Sequence, residues 1–429
     1  MAVTRGESEE APASEALAAF LTSQASEAQP QTLKLSEHLS EVCLAPPPGL
    51  ETVALPTLLG KSKGKKNARK DDPKGLRMAN LIRTQEGAQA ICAQLASFTG
   101  PLLRNFHGEL VTALLPDLPS LACDPHATQV VHHLITCDDE AYSELSRKMV
   151  RRLRGSLLKL TKDKHGCWVV QQALQCVPTE LHALLSMELR GKVLACSQHL
   201  HGNFVLQKCV ELLNHGHVAF IVDELKHHAV EAALHIYSCR VLQRIIEHCP
   251  HDGDSMTELL NTLLNKDTLH RLVMDPYGNN VLRAVLARGR PRHLKQIARV
   301  FTSDECNVLV YARNRHSSLV MERCLETMGG ELRHELKEER DALMAALLGS
   351  DDVANPPFTQ MALDRFGNYI AQRAMEECQG DEQQRVLHLL GMLGPKLRRA
   401  VNGRHILQAA RRKFGSQLAI HVPSSESAP

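Results

Sequence analysis

Six short segments of the chain set out the same kinds of side chain at the same spacing. They are Cys167-Trp168-x-x-Gln171, Asn203-Phe204-x-x-Gln207, Cys239-Arg240-x-x-Gln243, Asn279-Asn280-x-x-Arg283, Ser318-Leu319-x-x-Glu322 and Asn368-Tyr369-x-x-Gln372. A small or amide residue comes first and, in most copies, a flat or long one second. A hydrogen-bonding group stands four positions after the first. On a helix, positions i, i+1 and i+4 lie side by side on one face, so each segment can offer one compact triad to one planar partner. Trp168, Phe204, Arg240 and Tyr369 can stack on such a partner, while Leu319 can only pack against it and Asn280 lacks a flat ring. The outer two residues can hydrogen-bond the partner's edge. No nucleophile–base pair, phosphate-cradling loop or metal constellation accompanies the triads, so the chain is not expected to be an enzyme and no cofactor is implied.

The triads need helices to hold them, and the residues between supply one. In 237–248, at about 100° per residue, Val241, Leu242, Ile245 and Ile246 share one arc while Cys239, Arg240, Gln243, Arg244 and Glu247 share the other. Aligned on the first triad position, copies fall at Ala88, Thr128, Cys167, Asn203, Cys239, Asn279, Ser318, Asn368 and Arg404, at intervals of 40, 39, 36, 36, 40, 39, 50 and 36. Such a period marks a helical solenoid, in which each unit stacks only on its neighbours. Further apolar helices at 181–189, 217–227 and 256–264 give each unit two principal helices, with room for a short third. The longest interval carries an insert at 350–359 whose Asp-Asp and Asn-Pro-Pro read as an exposed loop. No strand pattern competes, and the fold class is all-α.

Composition narrows the rest. The 429 residues are 43% hydrophobic, which is that of a folded protein, but the net charge of +2 does not by itself announce a nucleic-acid binder. Thirteen scattered Cys show no disulfide framework or paired metal spacing, so reduced intracellular thiols are expected. Neither a signal segment nor an apolar run of spanning length is present, which predicts a soluble chain with no membrane contact. Residues 1–76 read as a disordered arm, with one helix near 14–22, a proline-rich stretch at 45–51 and a basic run at 61–70. That run suits a nuclear localisation signal, an RNA-contacting arm or a plain solvated linker. Residues 77–416 form the repeat domain and 417–429 a disordered tail.

The repeated pattern is a small residue, two variable residues, two apolar residues, then Gln or Glu. It resembles the repeat of the Pumilio (PUF) family of RNA-binding proteins, over roughly 77–415. Asn402-Gly403-Arg404-His405-Ile406-Leu407 resembles that family's C-terminal capping helix. The resemblance implies a right-handed, armadillo-like crescent of about eight repeats plus a terminal cap, reading single-stranded RNA one base per repeat. It also implies an RNA strand antiparallel to the protein. Asn with Gln suits uracil's two carbonyls and one N–H, and Glu322, an acceptor only, suits guanine's adjacent donors. Cys with Gln leaves room for adenine's C2 edge while the amide meets N1 and N6. Taken from the last repeat backwards, the string is 5′-U-G-N-A-U-A, and the family's favoured element begins U-G-U-A.

Departures from the pattern carry their own expectations. Arg283 has no acceptor, so discrimination at the third base should weaken. The first two units, Ala88-Gln89-x-x-Cys92 and Thr128-Gln129-x-x-His132, depart most and are assigned a structural, capping role. Lys208, Arg244, Arg323 and Arg373 each follow the recognition residue and could track phosphates. Metal binding by His132-His133 or His227-His228 lacks convergent partners. The function implied is regulation of messenger RNA through elements in 3′ untranslated regions, by a cytoplasmic monomer that recruits repression or decay proteins on its convex face. The alternatives are a nuclear or nucleolar relative acting in ribosomal RNA processing, and a helical scaffold that binds only protein.

Overall fold

The computed structural model describes residues 73–136, 143–176, 178–303, 307–350, 355–415 and 417–418. The expected helix at 14–22, the proline-rich stretch, the basic run at 61–70 and the tail beyond 418 lie outside the described residues. Within them there are helices and turns and no strand.

The helices recur in triplets. In the third repeat a short leading helix, Leu157–Lys162, is followed by the triad-bearing helix Gly166–Cys176 and an outer helix, Thr179–Met187. The fourth is Val193–Ser197, Gly202–Leu212 and His215–Lys226, and the fifth Ala229–Ala233, Ser238–His248 and Asp254–Leu263. Triad helices continue at Gly278–Arg288, Ser317–Gly329 and Gly367–Glu377, with Gly403–Phe414 after them. Each triad helix packs on the one before and the one after, and the outer helices form a second layer. The short third helix left open by sequence is the leading one.

Burial explains why these segments are helical and stacked. Val241, Leu242, Ile245 and Ile246 are all fully buried, each worth about 1.5–3 kcal/mol relative to exposure. Their homologues Val169 and Val170, Val205 and Leu206, Val281 and Leu282 are equally buried. Close approach is set by the residue that opens each triad helix. A Cβ on Gly202 would lie 2.6 Å from the Cys196 carbonyl oxygen, so only glycine lets the leading helix come so near. Where serine replaces glycine, its hydroxyl finds a partner instead: Ser238 and Ser197 share a hydrogen bond of 2.8 Å, and Ser317 donates to the Tyr311 carbonyl at 2.6 Å.

The helix starts share a device that the sequence pattern did not draw out. Four residues before the first triad position stand Asp124, Asp163, His199, His235, Asp275, Asn314 and Asp364. Each accepts from the backbone N–H groups two and three residues on. Asp163 Oδ1 does so at 2.8 and 2.7 Å, and His199 Nδ1 at 3.2 and 3.3 Å. These acceptors satisfy donors that a helix start leaves orphaned. Between repeats, Glu188 takes Gly155 and Leu157 N–H groups, and Glu224 repeats the arrangement with Gly191 and Val193.

Two expectations need correction. Part of the supposed exposed loop at 350–359 is the leading helix Pro357–Met361 of the eighth repeat, with Phe358 fully buried and Thr359 nearly so. The Asn-Pro-Pro there starts a helix, as proline does at a first turn. And Cys239 does not lie on the solvent arc, being only 1% exposed. Among the described residues, no helix is long and apolar enough to cross a membrane.

Candidate nucleic-acid interface

The structure brings the six triads into one continuous row along the stacked triad helices. Their middle residues point outward: Trp168 and Tyr369 are each 57% exposed, Phe204 50% and Leu319 40%. Arg240 is exposed too, and Asn280 is half-buried. Large aromatic side chains left in water by an otherwise well-buried array are unusual in a monomer unless something covers them. The residues four positions after the first, Gln171, Gln207, Gln243, Glu322 and Gln372, are half-buried beside them, and Arg283 is exposed.

The first-position residues sit deeper than the sequence suggested. Cys167, Asn203, Cys239, Asn279, Ser318 and Asn368 are all 5% exposed or less. In the fourth repeat, Asn203 Nδ2 donates to the carbonyls of His199 and Leu200, both at 2.9 Å, and its Oδ1 accepts from Gln207 Nε2 at 2.9 Å. The eighth repeat copies this with Asn368, the carbonyls of Asp364 and Arg365, and Gln372 at 3.1 Å. The asparagine is therefore a clamp that turns the glutamine, which keeps one N–H and its Oε1 for a ligand. In the cysteine repeats the clamp is the backbone: Gln171 donates to the Cys167 carbonyl at 3.1 Å and Gln243 to that of Cys239 at 3.0 Å. Burial pushes both thiols up to about 11, so they stay neutral.

The sixth repeat breaks the arrangement. Asn279 Nδ2 donates to the Asp275 carbonyl at 2.8 Å, but its buried Oδ1 has no partner, because Arg283 stands where a glutamine would donate and does not reach back. With Asn280 in the stacking place and the small Ala284 after Arg283, a cavity of about 400 Å³ opens here. Gln243, Glu247, Asn280, Arg283, Leu319 and Glu322 help to line it. Burial raises the Glu322 carboxyl above its ordinary range, and the charges of Arg373 and Arg283 only partly oppose this. Ser318 beside it donates to the Arg315 carbonyl at 3.3 Å.

The four cations expected to track phosphates are each held by a carboxylate. Lys208 pairs with Glu211 at 3.0 Å, Arg323 with Glu326 at 2.6 Å and Arg373 with Glu376 at 2.8 Å. Arg244 pairs with Glu247 and lies 3.7 Å from Glu211. A phosphate would have to displace or share these half-exposed partners. The i, i+3 spacing of every pair was there to be seen in the sequence.

The first two repeats keep the register despite their divergent residues. Gln89 and Gln129 are exposed in the middle place, Cys92 and His132 half-buried four positions after the first, and both triad helices join the stack. Burial lowers the His132 pKa, so a neutral imidazole faces the row. Among the described residues, no three His, Cys, Asp or Glu side chains converge as a metal site would need.

An all-helical stack that presents one exposed flat group and one edge-binding group per repeat defines a helical-repeat solenoid suited to an extended polymer with planar units. The model of the Pumilio-family RNA binding repeat matches residues 156–190, 192–226, 228–252, 269–300, 307–339 and 358–390. The chain belongs to the Pumilio family. It is 28% identical over 145 residues to a Pumilio domain-containing protein of Schizosaccharomyces pombe, a stretch covering 34% of this chain and 19% of that relative. Among solved structures it is similar to PUF-8 in complex with PBE-RNA, at 22% identity and a TM-score of 0.68, covering 79% of this chain and 93% of that one. The Puf3 RNA binding domain bound to a Cox17 RNA 3′ UTR recognition sequence is similar at 21% identity and a TM-score of 0.64, over 78% and 93%. The Puf4 domain bound to HO endonuclease RNA follows at 19% and 0.63, over 77% and 97%. These likenesses establish the fold, and no catalytic family is indicated.

Proposed function

We propose that this chain binds single-stranded RNA sequence-specifically, one base per triad, with an element of the form 5′-U-G-N-A-U-A. The observation that carries the reading is the row itself. Six triads stand in register, five of them with an exposed middle residue, while the apolar pair behind each is fully buried. Gln372 and Gln207, clamped by asparagine, offer one donor and one acceptor to uracil. Gln243 and Gln171 offer the same pair to adenine, over a small neutral thiol that leaves room for the C2 edge. Glu322 accepts from guanine N1–H and N2–H₂. Arg283 donates only, so the third base needs acceptors on its edge and is the least restricted.

The solved relatives named above include domains bound to 3′ UTR recognition sequences. By that analogy the element lies in messenger RNA 3′ untranslated regions, where a cytoplasmic monomer regulates translation and stability through protein partners on its outer helices. An unbiased selection from random RNA with the full chain tests the base assignments. It should return U-G-N-A-U-A, with the third position the most degenerate. A featureless motif, or binding of protein with no RNA selectivity, would refute the reading.

A further inference from the structure

The seventh repeat lacks the internal clamp that fixes the eighth. There, Asn368 Oδ1 accepts from Gln372 Nε2 at 3.1 Å. In the seventh, the Ser318 hydroxyl is spent on the Arg315 carbonyl at 3.3 Å, within its own helix start. What reaches Glu322 comes from the next repeat instead. Arg373, which directly follows Gln372, brings Nη2 to 4.0 Å from Glu322 Oε1, while its Nη1 pairs with Glu376 at 2.8 Å. The guanidinium thus forks between two carboxylates, one nitrogen to each.

The other cations at this helical position pair elsewhere. Lys208 and Arg323 pair within their own helices, with Glu211 and Glu326, and Arg244 reaches back to Glu211 of the preceding repeat, which is not an edge residue. Arg373 differs again in that its Nε is buried without a hydrogen-bond partner. A guanidinium placed to satisfy its own donors, or to follow phosphates in water, would not be held that way. The charges around Glu322 point in the same direction. Glu326 faces it from its own helix and Glu376 from the eighth repeat, and Arg323 and Arg373 pair with these two. Glu247 and the exposed Arg283 line the cavity beside it. Burial raises the Glu322 carboxyl, and Arg373 comes first among the charges that oppose this, ahead of Arg283.

We propose that Arg373 is a positioning residue for the second base: from the eighth repeat it aims the Glu322 carboxylate of the seventh at guanine. A carboxylate has about four acceptor sites on its two oxygens. Guanine N1–H and N2–H₂ take one on each oxygen, and the guanidinium takes a site on Oε1 that the base leaves open. A half-buried anion set against a base also needs a counter-charge, which Arg373 supplies. Guanine reading is then the property of two adjacent repeats, with Arg373 acting through Glu322 and touching no base itself. The inference rests on the assignment of guanine to Glu322 made above.

The test measures affinities of the full chain for the six-base element and for the same RNA with adenine at the second base, in the parent and in Arg373→Gln. The guanine-over-adenine ratio should fall about fivefold, the worth of a partly exposed ion pair. Discrimination between uracil and cytosine at the first base should not change, because Asn368 clamps Gln372 within its own triad. Loss of the counter-charge should also move the acid weakening of guanine binding to higher pH, since burial then raises the carboxyl unopposed by Arg373. Arg373→Lys keeps the charge without the fork, so it should restore the pH profile and only part of the ratio. In the Glu322→Gln background, Arg373→Gln should leave the ratio where it is. Each ratio is taken within one variant, so a general loss of affinity cancels, and Arg373→Lys decides the matter if Arg373→Gln does not fold. An unchanged ratio overturns the proposal. So does an equal loss for both RNAs with a shallower salt dependence, the mark of a phosphate contact, and so does an effect that persists without Glu322. A parent chain with no guanine preference, or one that Glu322→Gln leaves intact, refutes the base assignment and the inference with it.

Discussion

The fourth and sixth repeats both open their triads with a buried asparagine, and the two asparagines do different work. Asn203 makes three hydrogen bonds and fixes the amide of Gln207. Asn279 makes one, to the Asp275 carbonyl, and leaves a buried oxygen unpaired. The difference comes from the residue four positions on, glutamine in one case and arginine in the other. It shows that where asparagine and glutamine share a triad they are a coupled pair: the inner residue positions, and the outer one presents.

That coupling gives the first and largest test. Asn203→Ala should cost about 2–3 kcal/mol, since it strips a satisfied buried amide and unclamps Gln207. Asn279→Ala should cost about 1 kcal/mol, because only one hydrogen bond is lost and an unpaired oxygen goes with it. Urea denaturation of the two variants checks this, and equal losses would mean that the clamp adds nothing to the fold.

The seventh repeat sharpens the contrast, since its presenting group needs no clamp to define its polarity. A carboxylate accepts whichever way it is turned. Glu322→Gln should cut the preference for guanine over adenine at the second base by about tenfold or more, measured by competition between RNAs differing at that base alone. Retained guanine preference would refute the assignment of that residue. A smaller effect is expected from restoring the missing clamp. Arg283→Gln gives Asn279 Oδ1 its donor, and selectivity for uracil at the third base should rise about fivefold while stability does not fall. If the third base stays as permissive as before, the arginine is not what loosens it.

How much of this was open to inspection in the sequence follows from what a residue's neighbours are. The buried pairs Val241–Leu242 and Ile245–Ile246 were legible because helical periodicity is a local property, and so were the outer helices near 181–189 and 217–227. Phe358 was misplaced in a loop because Asn-Pro-Pro carries both a turn signal and a helix start, and only packing decides between them. Burial of Cys239 and Asn203 was missed because an i position seems to share the solvent face of i+1 and i+4 until a neighbouring helix is laid against it. The clamp itself spans four residues and was readable in principle. What hid it was treating both polar residues as ligands when one can be spent on the other. The caps at Asp163 and His199 were also at a fixed spacing, masked by a change of residue type that preserves only the acceptor.

Acidification gives the smallest effect, and it separates the Glu322 pocket from the amide pockets. The Glu322 carboxyl is raised above its ordinary range by burial, so the folded protein holds that proton more tightly than the unfolded chain does. By linkage, ionised Glu322 detracts from stability above its folded pKa, and that penalty fades as pH falls through it. RNA binding has the opposite sign. Guanine's two donors need the ionised carboxylate, and a protonated one has lost part of its acceptor capacity. Acidification from neutral pH should therefore weaken binding of the guanine-containing element, at an onset above that of an ordinary glutamate. The amides of Gln207 and Gln372 do not titrate, so a matched RNA with adenine at the second base should show a much flatter profile, as should Glu322→Gln with either RNA. A guanine-independent pH response, or one that persists in Glu322→Gln, would place the titrating group elsewhere in the row, with the half-buried imidazole of His132 as the next residue to replace.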